Sequence, residues 1–196
     1  MTEWLEKIDQ DFVLWVNGLH TPFLDEFFWL ISSKWIWIPF YLLLIFLFYR
    51  KNNWYKTIYF VLFAVLSIGI ADLISVHLFK EVFMRYRPSH NLNLTDKLHY
   101  YQFSDGSFYQ GGQFGFISSH AANFAALFTW SGLHLYRYYR KFPYVLVIIF
   151  LFVIVSRIYL GVHYLSDVLA GGVLGAIIGY VLFRLTKVIF RQKKSQ

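Results

Sequence analysis

Long apolar runs separated by short polar turns constrain this chain more than any other feature. Residues 35–49 contain no charged side chain. Roughly 20 such residues cross the hydrocarbon core of a bilayer as a helix, which satisfies its own backbone hydrogen bonds. The chain is 58% hydrophobic, whereas a soluble domain is about 45–50% apolar. The sequence therefore predicts an integral membrane protein.

The apolar runs predict a single all-α domain over residues 1–196, a bundle of about five transmembrane helices. The predicted spans cover residues 25–49, 57–79, 118–136, 142–156 and 168–190. Residues 3–19 place acids and apolar side chains at helical spacing, which predicts an amphipathic helix on the membrane surface. Residues 88–115 form a long polar loop, and loops of that length typically cover or bind a ligand.

Basic residues mark one end of the predicted bundle. Eleven of the 18 lie in the turns after the first and third spans and in the tail, where no acid occurs. They are Arg50, Lys51, Lys56, Arg137, Arg140, Lys141, Arg184, Lys187, Arg191, Lys193 and Lys194. The positive-inside rule makes this end cytoplasmic. We therefore expect a cytoplasmic C-terminus and a long loop on the opposite, outer face. The small size and the single predicted domain favour a bacterial inner-membrane protein, in which the outer face is periplasmic. The net charge of +7 is a topology signal and not a nucleic-acid-binding patch.

Three segments with polar side chains end on the outer side of the predicted bundle. In the first, Lys80 and Arg87 are seven residues apart. On a helix that continues to Pro88, this spacing is two turns, so both cations can point to one spot. Taken alone, they could equally be two cations reaching for the membrane surface.

The second segment, Ser118-Ser119-His120, lies at a predicted helix start. A serine there can simply cap the helix. The same geometry presents free N–H groups to an anion, and His120 in the first turn could then act as a general acid.

The third segment runs from Ser156 to Asp167 between two apolar runs. His163 and Asp167 are four residues apart and would share a face of a helix, where the carboxylate could orient the imidazole. Arg157 has a planar fork suited to phosphate. An ion pair that merely joins two helices is the alternative, but the coincidence of three such segments on one face favours a phosphate site.

Together these segments resemble the motifs of the type-2 phosphatidic acid phosphatase superfamily, the lipid phosphate phosphatases. The family pattern is Lys-x6-Arg-Pro, then Pro-Ser-Gly-His, then Ser-Arg-x5-His-x3-Asp. Residues 80–88 and 156–167 match the first and third motifs in full. In the second motif, Ile117 stands where proline is usual and Ser119 where glycine is usual.

The resemblance implies a role for each matched residue. His163 would attack phosphorus and form a phosphohistidine, Asp167 would orient it, and His120 would protonate the leaving oxygen and then activate water. The phosphate ligands would be Lys80, Arg87, Arg157, Ser118 and Ser119. No metal and no other cofactor is expected, because cations already occupy that place.

The resemblance also implies a membrane enzyme that hydrolyses a phosphate from a lipid at the outer face. Undecaprenyl diphosphate is the favoured substrate, with phosphatidylglycerol phosphate, phosphatidic acid and lipid A phosphates open, because the motifs contact only the phosphate. A lipid phosphotransferase and a non-catalytic lipid-binding or transport protein are the alternatives. No nucleic acid and no obligatory protein partner is expected beside the bilayer and the lipid. The sequence leaves open the roles of Asp72, His77, Arg85, His90 and His99.

Overall fold

The computed structural model describes the backbone of residues 3–192 and the side chains of residues 3–187. Lys193 and Lys194, which belong to the predicted charge pattern, lie outside the described residues. The helices are α1 (Glu3–Asn17), α2 (Pro22–Ser32), α3 (Ile38–Tyr49), α4 (Trp54–Ile74), α5 (Glu81–Phe83), α6 (Ser119–Leu135), α7 (Phe142–Tyr159) and α8 (Leu165–Gln192). The described residues contain isolated β-bridges but no β-strand, and the predicted all-α membrane fold is confirmed.

Helix α6 lies at the centre of the bundle, where α4, α7 and α8 pack around it. Glycines of α8 allow its backbone to come close to that of α6. A Cβ added at Gly175 would lie 2.1 Å from the carbonyl oxygen of Ala122, and one added at Gly179 would lie 2.4 Å from that of Ala126. Small residues at a helix interface let two backbones touch, so a larger side chain here would push α8 away from α6.

Large apolar side chains cover the outside of α3, α4, α7 and α8, including Leu62, Val65, Val147 and Ile148. A water-soluble protein rarely leaves so much apolar surface exposed. By length and composition, the helices Trp54–Phe83, Phe142–Tyr159 and Leu165–Lys187 can each cross a membrane, and a bent pair could supply a fourth span. With 17 residues, α6 is too short for that test, and the count of five spans stays a prediction.

The predicted continuous helix over residues 25–49 is wrong. Helix α2 ends at Ser32, Ser33 has an extended backbone, and the segment Trp35–Tyr49 is bent by 67° from α2. Three polar residues in a row interrupt the apolar pattern at this point. The hydroxyl of Ser32 also has a buried partner, because Arg157 donates a hydrogen bond to it, and the bend brings α2 to the outer end of α7.

The predicted amphipathic helix is present as α1, with Trp4 and Trp15 exposed and Val13 and Val16 buried against the bundle. Its place on the membrane surface stays a prediction. One polar residue of α1, Asp9, is only 3% exposed. A carboxylate is rarely buried without a charged or hydrogen-bonding partner. The partners of Asp9 lie next to the candidate active site.

Candidate active site

A cavity of about 280 Å³ brings the three sequence segments together. Six predicted site residues line it: Lys80, Arg87, Ser119, His120, Arg157 and His163. The other two, Ser118 and Asp167, are completely buried, and the Ser118 N–H donates a hydrogen bond to the Asp167 carbonyl at 3.0 Å. The cavity thus combines the three predicted cations and a fourth, Lys34, with two imidazoles, which suits a phosphoryl group.

Lys80 and Arg87 meet by a route that the sequence did not predict. The helix ends at Phe83, Met84 adopts a left-handed backbone with φ 43°, and Tyr86 forms an antiparallel bridge with Phe114. The Arg87 N–H then donates to the carbonyl of Gln113 at 3.1 Å. The prediction of one helix through Pro88 is therefore wrong, and Arg87 reaches the cavity because the chain turns back.

The long loop holds Arg87 in place. Its Nε donates to the Phe114 carbonyl at 3.1 Å. A Cβ at Gly111 would lie 2.5 Å from Nη1 of Arg87, and Gly111 has φ +68°, a conformation that costs other residues energy. The positive φ favours glycine at this position, and a side chain there would displace the end of Arg87. The loop 88–115 therefore forms part of the cavity wall.

The two serines at the start of α6 have different environments. Ser118 caps the helix, because its hydroxyl accepts from the Ala121 N–H, so the capping interpretation holds for this side chain. The Ser119 hydroxyl accepts from Nζ of Lys80 at 2.6 Å and lies 2.7 Å from the hydroxyl of Ser75. The side chain that replaces the usual glycine thus holds Lys80, the lysine predicted to bind phosphate.

Arg157 is 2% exposed and is held from two directions. One Nη donates to the hydroxyl of Tyr109 at 2.9 Å and the other to the hydroxyl of Ser32. Its Nε has no partner among the described residues and is free to donate to a phosphoryl oxygen. Sequence reasoning missed Tyr109 and Ser32, although the break in the apolar pattern was a signal for Ser32.

His163 lies between α7 and α8, so the prediction that it shares a helix with Asp167 is wrong. Only Asp167 is in α8, in its first turn. The His163 Nδ1 is 3.4 Å from Oδ2 of Asp167 and has no hydrogen-bond partner in the described structure. That distance is close enough for attraction but is long for a hydrogen bond. Because Nδ1 faces the carboxylate, Nε2 is the nitrogen left for a substrate.

Burial lowers the pKa of His163 well below its usual range, and the positive charges of Arg87, Arg157 and Lys80 lower it further. A depressed pKa keeps the imidazole neutral at physiological pH. Only the neutral ring has a lone pair with which to attack phosphorus. Arg87, Arg157 and Lys80 thus also favour the neutral form of His163, the form that a nucleophile would need.

Arg85, whose role the sequence left open, holds Asp167. Its Nη1 donates to Oδ1 of Asp167 at 2.9 Å and to the hydroxyl of Ser166 at 2.8 Å, and its Nη2 donates to Oδ2 of Asp9 at 2.9 Å. The guanidinium also lies 4.1 Å from the ring centre of Tyr164. Neither Arg85 nor Asp9 lines the cavity as described, so Arg85 acts through Asp167 as a positioning residue.

We expect Arg85→Lys to lower kcat about 10–100-fold with little change in KM. Lysine keeps the charge but cannot contact both carboxylates in a planar fork, and small displacements of a catalytic group are costly. Steady-state kinetics on folded protein measures the effect, with Arg184→Lys, on the exposed face of α8, as the matched control. An unchanged kcat in a variant of wild-type melting temperature would rule out the positioning role.

The other polar residues that the sequence left open divide into two groups. Asp72 lines the cavity and accepts from the Asn123 amide at 3.1 Å. His77 forms an exposed pair with Glu81, His90 contacts Ser89, and His99 pairs with Asp25. Of the four residues, only Asp72 lines the phosphate cavity as described.

A family model described as the PAP2 superfamily matches residues 59–191. A lipid A 4'-phosphatase of Porphyromonas gingivalis is 37% identical over 187 residues, which is 93% of this chain and 75% of that protein. A lipid A 4'-phosphatase of Bacteroides thetaiotaomicron is 31% identical over 184 residues, covering 93% of this chain and 79% of that protein. At 37% and 31% identity over most of both chains, the relationship is one of family and not of fold alone.

Two solved structures have the same fold. A transmembrane PAP2-type phosphatidylglycerolphosphate phosphatase from Bacillus subtilis superposes with a TM-score of 0.73 at 21% identity, over 96% of this chain and 89% of that one. LpxE from Aquifex aeolicus superposes with a TM-score of 0.59 at 20% identity, over 90% of this chain and 94% of that one. From the family model and the close relatives, the chain belongs to the PAP2 superfamily and is a membrane lipid phosphatase, an enzyme that hydrolyses phosphoric esters.

Proposed function

We propose that this phosphatase removes the 4'-phosphate of lipid A through a phosphohistidine intermediate. The observation that carries the reaction is the cavity in which His163, His120 and three cations converge. The substrate is supported by the two lipid A 4'-phosphatases, each aligned over 93% of the chain. Neither of these two relatives is described as acting on undecaprenyl diphosphate, the substrate that the sequence motifs favour.

In the first step, Nε2 of His163 attacks phosphorus, and the bond between phosphorus and the lipid oxygen breaks as His120 donates a proton to that oxygen. In the second, His120 removes a proton from water, the water oxygen attacks phosphorus, and the bond to His163 breaks to release inorganic phosphate. Lys80, Arg87 and Arg157 stabilise the charge on the phosphoryl oxygens in both transition states.

A second cavity supports a lipid substrate. It measures about 460 Å³ and shares Lys34, Asp72, His120 and Asn123 with the phosphate cavity. Its remaining wall is mostly apolar and aromatic, from Tyr41, Ile68, Gly69, Phe124 and Leu127. A ligand with a phosphate in the first cavity could therefore extend an apolar part into the second, between α3, α4 and α6.

A panel of lipid phosphates in detergent tests the substrate proposal. We expect the highest kcat/KM for lipid A bearing a 4'-phosphate, by about tenfold or more over undecaprenyl diphosphate, phosphatidylglycerol phosphate and phosphatidic acid. Phosphate release is measured without an added acceptor, because a phosphotransferase would then release little. A higher kcat/KM for undecaprenyl diphosphate would reverse the assignment.

The same assay in EDTA tests the expected metal independence. The phosphate cavity is lined by four Lys or Arg side chains and a single carboxylate, and no group of three or more His, Asp or Glu side chains suited to a metal ion occurs in the described part of the chain. Activity is expected to survive the chelator, and a loss restored by added metal would contradict the cation-based mechanism.

We further propose that the cavity opens to the periplasmic side of the inner membrane, with the C-terminus in the cytoplasm. The basic turns at the other end of the bundle support this orientation. The chain has no cysteine, so Ser104→Cys in the loop and Lys141→Cys in a basic turn give clean probes. In intact spheroplasts an impermeant thiol reagent is expected to label only the first, and labelling of only the second would invert the topology.

A further inference from the structure

A third cavity lies at the end of the bundle opposite the phosphate site. It measures about 460 Å³ and lies between the ends of α3, α6 and α8 and the start of α4. His120 lines the phosphate cavity and His134 lines this one. The two are 14 residues apart on α6, so at 1.5 Å per residue they are separated by about 21 Å. The catalytic mechanism uses none of the residues here.

The lining of this cavity is divided by chemistry. Lys56, Arg137 and Lys187 supply positive charge from three different helices or turns. Phe48, Phe60, Phe63, Trp130 and Phe183 supply an aromatic wall. No carboxylate belongs to the lining as described, and none of the three cations has an ion pair within residues 3–187. Unneutralised cations beside an apolar hollow fit an amphiphile with an anionic head.

We propose that this cavity binds an anionic phospholipid of the membrane leaflet opposite the catalytic site. The three cations would contact the phosphate of the headgroup, and part of an acyl chain would lie against the aromatic wall. Basic pockets between transmembrane helices are suited to anionic headgroups, and the volume is in the range of ordinary ligand pockets. The exposed apolar surface beside it supports a lipid over a soluble anion, because the ligand can reach the cavity from within the bilayer.

The test compares thermal unfolding of the full-length protein in nanodiscs of phosphatidylglycerol and of phosphatidylcholine. We expect the melting temperature to be higher in phosphatidylglycerol by about 2–4 °C. The triple variant Lys56→Ala, Arg137→Ala, Lys187→Ala is expected to lose this rise and to bind phosphatidylglycerol roughly a hundredfold more weakly in a titration, since each cation near the membrane surface contributes on the order of a fivefold change.

A matched control separates the cavity from general surface charge. Lys51, Arg140 and Lys141 are exposed at the same end and are not part of the lining. Their triple alanine variant has the same net charge as the first and is expected to keep the rise. If both triple variants lose it equally, or if the wild-type protein shows no rise, the proposed site is wrong.

Two further arms test the nature of the ligand. Inorganic phosphate in place of the lipid should change the melting temperature of wild type and of the first triple variant by the same amount. Both proteins keep the catalytic cavity, so an effect of phosphate there cancels in the comparison. An equal difference with phosphate would show that a soluble anion suffices and would overturn the lipid assignment.

Leu133→Trp keeps the cations and adds bulk to the lining, and it is expected to weaken the rise in melting temperature. A full rise in that variant would contradict entry of the acyl chain.

Discussion

His163→Ala is expected to lower the turnover of lipid phosphate by about 10⁵–10⁶-fold, the scale seen when a nucleophile is removed from an enzyme. His163 is 1% exposed, lines the phosphate cavity and has one ring nitrogen facing Asp167. No other imidazole in the described cavity has a carboxylate beside it in this way. Phosphate release from the preferred lipid measures the effect in protein of wild-type melting temperature.

The matched control is His77→Ala. His77 is an exposed histidine paired with Glu81 at the surface, and its loss should leave turnover within about twofold. Turnover of His163→Ala at the level of the His77→Ala control would remove His163 from the reaction.

A trapping experiment distinguishes a nucleophile from a base. In His120→Ala, a substrate with a good leaving group needs no acid in the first step, but the second step lacks its base. Labelled phosphate from p-nitrophenyl phosphate should then accumulate on His163 as an acid-labile, alkali-stable adduct. Rapid phosphate release by His120→Ala with no bound label would indicate direct attack by water.

Arg157→Lys is expected to lower kcat/KM by about 10²–10³-fold, the cost of removing one positioned donor from a developing oxyanion. Lysine preserves the positive charge but cannot donate to Ser32, Tyr109 and a phosphoryl oxygen at once. This loss would show that the geometry of the buried guanidinium, and not its charge alone, contributes to kcat/KM. The ratio of wild-type to variant kcat/KM should be the same for a short-chain and a long-chain lipid phosphate. Of the substrate, the guanidinium would contact the phosphate and not the lipid chain.

Tyr109→Phe serves as the graded companion of Arg157→Lys. It removes one hydroxyl that accepts from Arg157 and leaves the ring in place, so a smaller loss of about tenfold is expected. A conservative exchange at an exposed arginine, Arg50→Lys, supplies the control. Full activity in both Arg157→Lys and Tyr109→Phe would mean that the fork geometry does not matter.

The helices and the chemically active residue types follow from local sequence, and there the predictions succeed. A run without charge such as residues 35–49 has few alternatives to a membrane helix, because a bilayer tolerates no unpaired backbone groups. The predicted fold, the family and the meeting of Lys80, Arg87 and Arg157 in one cavity are in agreement with the structure. Residue type is enough for these, since a phosphate site needs cations, and three basic residues of the matched motifs supply them.

The predictions fail where a partner distant in sequence decides the backbone. Helical spacing was assumed for Lys80 to Arg87 and for His163 to Asp167, yet the chain reverses after Phe83 and α8 begins only at Leu165. The break after Ser32 coincides with the bond from Arg157, which is 125 residues away. No local pattern encodes such a pairing, because it stabilises the bend only once the helices have packed.

The sequence by itself determined that this chain is a membrane protein with a phosphate-directed set of basic residues and histidines. Hydrophobicity and charge are properties of the individual residue types, so both can be read from the sequence without a structure. Only the tertiary structure decided how these residues are held. Asp9 of α1 accepts a hydrogen bond from the Ser166 N–H, 157 residues along the chain, and Arg85 donates one to Asp167, 82 residues along. Burial brings these charges together, where solvent would otherwise screen them.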